Sequence, residues 1–177
     1  PPDTIHAVGP RDVVEATNSG YAIWSKTGAL RRGYTTFETL FAPVIPGGWG
    51  GFTFDPRLAY EPNYNRFVML VLGLDTTAQI SYVFVAVSQG TDPNGLWWLY
   101  RFQDTFNLDA WIDYSGLGVD VHGLYFTGNE FYWAGGFKHA IIWSVSPAIY
   151  SGGVASGWLF WNLQWPDTSL AFAVQPA

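Results

Sequence analysis

Tyr21-Ala-Ile-Trp-Ser-Lys26, Tyr82-Val-Phe-Val-Ala-Val-Ser88 and Ala140-Ile-Ile-Trp-Ser-Val-Ser146 read as three versions of one strand. Aligned on Trp24, Val85 and Trp143, they recur 61 and then 58 positions apart. A unit of that length, made of short apolar strands and turn residues, cannot bury its own hydrophobic face and has to lean on a neighbouring copy. Each copy therefore reads as a four-stranded antiparallel blade. The chain as a whole is expected to be all-β and β-propeller-like, with about three blades in an incomplete or partner-completed ring. Complete propellers hold about four to eight blades. Three leave two flanks with open strands and apolar faces.

Working outward from those strands, period-2 alternation dominates and no segment shows a helical period. Residues 1–48 form the first unit, with strands expected over 12–18, 21–26 and 35–41. Ala42 to Gly51, rich in Pro and Gly, reads as the loop to the next unit. The second unit, 49–110, is expected to hold strands over 58–61, 67–73, 82–88 and 96–102. The third, 111–177, is expected to hold strands over 117–121, 124–129, 140–146 and 158–163, with His122-Gly123 as the tight turn of its first hairpin. The linkers are short and continuous in composition, which makes one domain.

Aromatic residues make up 19% of the 177 and include 10 Trp, whereas charged residues make up 12%. Soluble domains usually carry about 25% charged residues. Two readings follow: a core that favours Trp and Tyr, or a surface that a partner covers. The net charge of −6 argues against nucleic acid and anionic membrane surfaces, both of which need a basic footprint. With no cysteine there is neither a disulfide framework nor a thiolate metal site. The longest apolar runs, such as Phe67 to Leu74, fall far short of the ~20 residues that span a bilayer. The opening Pro1-Pro2 is not a signal peptide, so a leader either was removed or never existed.

Chemistry is sparse. A glycosidase needs two carboxyl groups across a pocket. Of the four Glu, Glu130 is the general-acid candidate, and Asp55 and Asp113, at the starts of the second and third units, are its possible channel-facing partners. Against this, Asp at strand starts commonly fixes turns through side-chain to backbone hydrogen bonds. Asp113, Asp120 and Asn129 are the weak calcium candidates. His6, His122 and His139 lack ligand spacing. No nucleophile elbow, zinc-binding helix motif or phosphate loop occurs, so no cofactor is implied. Trp97 and Trp98, adjacent in a strand, must face opposite sides of a sheet, as must Tyr132 with Trp133 and Phe160 with Trp161. Packing between blades accounts for most such aromatics. The remainder could anchor a protein or stack on a sugar, with Trp49, Trp97, Trp98, Tyr132, Trp133 and Trp161 as candidates. Trp49 and Trp133, in Gly-rich loops, are expected to be the most exposed of these.

A family resemblance enters here. Pro1-Pro-Asp-Thr4 with Ala7-Val-Gly-Pro10 resembles the opening of a group of bacterial secreted or envelope β-propeller proteins with a PPDT-x-x-AVGP pattern. Phe54-Asp-Pro-Arg57, Asp92-Pro-x-Gly95-x-Trp97 and Leu117-Gly-Val-Asp120 continue the likeness in order. The resemblance implies export to the periplasm or outside the cell and a propeller fold, and it carries no catalytic set. The Asp92 to Trp97 stretch also resembles the blade turn of sialidases and five-bladed glycoside hydrolases, where it is structural. The expected function is a non-catalytic exported module that mediates protein–protein interaction in an envelope or extracellular assembly. The alternative is a carbohydrate-binding or glycoside-hydrolysing propeller.

Overall fold

The computed structural model describes residues 3–103 and 108–176. Pro1-Pro2 of the N-terminal pattern lies outside the described residues. Twelve strands form three four-stranded antiparallel sheets, each meandering in chain order. The first sheet holds β1 (Ile5–Val8), β2 (Asp12–Thr17), β3 (Gly20–Ser25) and β4 (Leu30–Thr36). The second holds β5 (Phe52–Glu61), β6 (Arg66–Asp75), β7 (Ile80–Ser88) and β8 (Trp97–Phe102). The third holds β9 (Ala110–Asp120), β10 (Gly123–Tyr132), β11 (Phe137–Val145) and β12 (Gly157–Phe160). The first strand of each sheet lies beside that of the next, β1 against β5 and β5 against β9. The sheets therefore stack face to face around a shared edge, as blades do, and among the described residues no barrel closes.

Two separate cores hold the stack. Between the first and second sheets, Val14, Ala16, Tyr21 and Ile23 meet Phe67, Met69, Val71 and Phe84. Between the second and third, Val68, Leu70, Val83, Val85 and Val87 meet Leu124, Phe126, Ile141 and Val145. The second sheet is thus covered on both faces, which is why Phe67 to Asp75 runs unbroken through the interior instead of alternating with water. We call the face turned to the following sheet forward and the other rear.

This geometry corrects the repeat by one residue. The three aligned segments are indeed the third strand of each sheet. However, Val85 points forward, into the core it shares with Trp143, whereas Trp143 points rearward. A one-residue slip in a strand exchanges its faces. The rear-facing equivalents are Trp24, Phe84 and Trp143, spaced 60 and 59. The first strands agree with that spacing. In β5, Asp55-Pro56 sits opposite the single residue Val71, and in β9, Tyr114-Ser115 sits opposite Gly128. These bulges lie 59 positions apart. Both begin with a left-handed residue, Asp55 at φ 47° and Tyr114 at φ 55°.

The bulges also explain why the reading found only the distal ends of β5 and β9: Asp-Pro and Tyr-Ser-Gly look like turn punctuation. A bulge is one of the few places a strand admits Pro. β1 was missed because it is short. The strand expected over 35–41 is instead the end of β4 followed by α1 (Phe37–Phe41). Thr36 caps that helical turn by accepting a hydrogen bond from the Thr39 amide at 3.2 Å. Phe37 and Phe41, four apart, both point into the first core, with Phe41 5.3 Å from Phe84.

Beyond β12, residues 163–171 form a small hairpin in which the Ala171 amide donates to the Leu163 carbonyl. The chain then crosses the forward face of the third sheet. Thr127 Oγ1 donates to the Val174 carbonyl at 2.6 Å, and the Ala173 amide donates to Asn129 Oδ1 at 3.0 Å. Gly116 and Gly118 leave the flat floor on which Gln175 and Pro176 lie; a Cβ at Gly118 would stand 2.6 Å from Pro176. The flank expected to be open at the C-terminal end is thus covered over its β9–β10 half by the chain itself.

Candidate functional site

The shared edge of the three sheets opens into a cleft of about 470 Å³ lined by Asp3, Ile5, Asp55, Arg57, Asp113 and Tyr114. Three of its residues, Asp3, Asp55 and Tyr114, are left-handed without being glycine. Such strain persists only where surrounding bonds hold it, and here they do. The Asp55 amide donates to Asn18 Oδ1 at 2.9 Å, and Asn18 Nδ2 donates to Asp3 Oδ2 at 2.7 Å. Arg57 Nε donates to the Ser115 carbonyl at 2.6 Å, tying β5 to β9, and Ser115 Oγ donates back to the Asp55 carbonyl at 3.3 Å.

Burial is the main cause that raises the Asp55 carboxyl above its ordinary range. The neighbouring charge of Asp113 adds to it, Arg57 opposes it in part, and a hydrogen bond with Asp113 favours the protonated form. Asp55 and Asp113, paired in the sequence reading as channel-facing carboxyls, are therefore brought together. Both line this one cleft, where the Arg57 guanidinium lies beside them.

Glu130, the third carboxyl of that reading, lies elsewhere. It is buried on β10 with Oε2 2.9 Å from His139 Nε2 on β11. The space beside it is about 10 Å³, room for one water. The calcium candidates are also dispersed. Asp113 lies at the cleft, with Oδ1 accepting from the Tyr114 amide at 2.7 Å. Asp120 lies seven residues further along β9, ~20 Å away, and caps the hairpin turn by accepting from the His122 and Gly123 amides. Asn129, opposite Asp113 in register, holds the C-terminal segment. Among the described residues no three His, Asp or Glu converge to hold a metal ion.

The aromatic candidates do not form one site. Trp97 and Trp98 face opposite sides as expected. Trp97 packs at 6.4 Å on Tyr21 in the first core, and Trp98 lies under Arg66 at 5.7 Å beside the second. Trp49 is not an exposed contact: it is half-buried against the first core, 5.9 Å from Phe84. Trp133 is half-buried too, donating from Nε1 to the Leu108 carbonyl at 3.2 Å. Tyr132 and Trp161 are exposed, the first at the end of β10 and the second just beyond β12. Sequence reasoning missed the three most exposed aromatics among the described residues, Trp158, Tyr34 and Trp165, because alternation marks which residues share a face but not whether that face is covered. Comparison with family models, curated proteins and solved structures gives no match to this chain.

Proposed function

We propose that the chain is an exported, non-catalytic interaction module that docks, through the rear face of its first sheet, onto a β-sheet supplied by a protein partner in an envelope or extracellular assembly. One observation carries this reading. Val8, Val13, Trp24 and Leu30 stand in register across β1, β2, β3 and β4, forming an apolar row on that rear face. Val8 is 48% exposed and Leu30 56%, while Val13 and Trp24 between them are half-buried. The rear faces of the second and third sheets are each covered by the forward face of the sheet before. Phe84 and Trp143, the equivalents of Trp24, lie in those covered interfaces. Among the described residues the first sheet repeats the surface without a covering sheet, so a surface like a forward face is what fits it.

The low charged content supports this reading, since apolar faces left open on a weakly charged surface favour association. Export rests on the resemblance of the N-terminal stretch.

The test is purification from the native source under mild conditions, followed by intact mass, with a photo-crosslinking residue at position 30. Position 77, on the β6–β7 turn, serves as control. A species heavier than 19.7 kDa with unlike subunits is expected. Its crosslink should form from position 30 only and disappear in a folded Trp24→Asp variant. A lone monomer, or a crosslink indifferent to Trp24, refutes the proposal.

A further inference from the structure

The opposite flank carries a different arrangement. On the forward face of the third sheet, outside the half covered by the C-terminal segment, a groove of about 480 Å³ runs between the β9–β10 turn and β12. Its walls include His122, Ser144, Ser146, Ser156 and Trp158. Trp158 is 76% exposed and stands directly opposite Ser144 in register, so indole and hydroxyl share one face.

The hydroxyls lining the groove are uncommitted within the protein, as are those of Ser19 and Ser151 elsewhere among the described residues. Ser25, Ser81, Ser88, Ser115 and Ser169 all engage their hydroxyls in hydrogen bonds within the protein. Ser144, Ser146 and Ser156 make no side-chain hydrogen bond among the described residues, and neither does the His122 ring, although its backbone amide is held by Asp120. Ser146 precedes the 3₁₀ turn Pro147–Ser151 without capping it through its side chain. Its amide is instead tied to the Ser156 carbonyl at 2.8 Å, which fixes the two serines side by side.

We infer that this groove is a binding site for a neutral saccharide, with Trp158 as the stacking platform and the three serines and His122 as the hydroxyl-reading rim. A pyranose presents a flat face of C–H groups and an edge of hydroxyls. Its site therefore needs one exposed aromatic plane flanked by uncharged donors and acceptors. The groove has both and no carboxylate or cationic Lys or Arg among its lining, which points away from phosphates, metal ions and charged peptides. Phe160 extends the platform. It lies two residues along β12 on the same face, ~7 Å from Trp158, and is itself 51% exposed. An extended glycan would therefore run along β12. The site lies on the sheet opposite the docking row and stands or falls independently of it.

The test uses the full chain and three neutral probes: hexamers of β-1,4-linked glucose, β-1,4-linked xylose and β-1,4-linked N-acetylglucosamine. Binding is read by indole fluorescence and by amide and indole N–H chemical shifts. At least one probe should bind saturably and shift the Trp158 indole with Ser144 and Ser156. Trp158→Ala should weaken that binding by about tenfold or more. Ser156→Ala should weaken it by a few-fold. Trp165→Ala, which removes an exposed indole outside the groove, should leave it unchanged, and thermal melts establish that each variant is folded. If none of the three probes binds at millimolar concentration, the assignment to neutral saccharides is wrong. If binding survives Trp158→Ala, or is lost equally in Trp165→Ala, the site is wrong.

Discussion

Trp24 and Phe84 occupy the same place in consecutive sheets, and replacing each by Ala separates a covered rear face from an uncovered one. Phe84 is fully buried, with Phe41, Tyr82 and Trp49 rings at 5.3, 5.8 and 5.9 Å. Removing a ring so placed forfeits its transfer free energy, several aromatic contacts and the cavity left behind, about 3–5 kcal/mol. Trp24 loses its cross-strand partners Val13 and Leu30, each worth about 0.2–1 kcal/mol, and no facing sheet, so about 1 kcal/mol is expected. A domain of this length shifts its melting temperature by about 2–4 °C per kcal/mol. Phe84→Ala should thus melt ~6–20 °C below the parent and Trp24→Ala only ~2–4 °C below, by circular dichroism on the isolated chain. Urea midpoints with unchanged slopes would show that the denatured state is not responsible. Equal losses would mean that Trp24 is packed within its own chain, and the argument for a docking face on the first sheet would fail.

Two further substitutions test the cleft and the second core. Asp55 binds its proton more tightly in the folded state than in the unfolded one, so its contribution favours folding at low pH and is lost as pH rises through its raised value. Asp55→Asn, always neutral and at ease with φ 47°, should melt above the parent at neutral pH, with the gap closing towards about pH 3; a gap independent of pH would count against the buried carboxyl pair. Gly152→Ala should lose about 2–4 kcal/mol, because φ is 73° and its Cβ would run into the Trp98 indole. Gly28→Ala, also left-handed at 87° but with open space around it, should lose only about 1–2 kcal/mol. Chemical denaturation distinguishes the two, and similar values would show that Trp98 is free to move.

The sheets were legible because antiparallel strands joined by short turns leave local marks: a Val and Leu run in β6, alternating Val in β7, and His122-Gly123 between β9 and β10. What was not legible depended on contacts across the stack. Nothing near Val85 reveals that it faces forward while Trp143 faces rearward; that is decided by the core the two share between the second and third sheets. Phe37 and Phe41 looked like strand residues because a single helical turn is too short to show a period. That Asp55 and Asp113 face one cleft was accessible, since both open their units and the units share an edge; that Glu130 lies away from it was not. Trp49 was misjudged because a Gly-Pro loop suggests exposure, whereas this one folds its indole back over Phe84. The groove beside Trp158 depends on hydroxyls that lack partners, a property no spacing encodes.

The double covering of the second sheet has a consequence for how the molecule comes apart. Amides of β6 and β7 are shielded by a neighbour on either side, so their exchange with deuterated solvent requires the whole stack to separate. The two outer sheets each have a neighbouring sheet on one side only and can peel away singly at lower free energy. Mechanical or proteolytic loosening would therefore begin at either end of the stack and reach the middle third of the chain last.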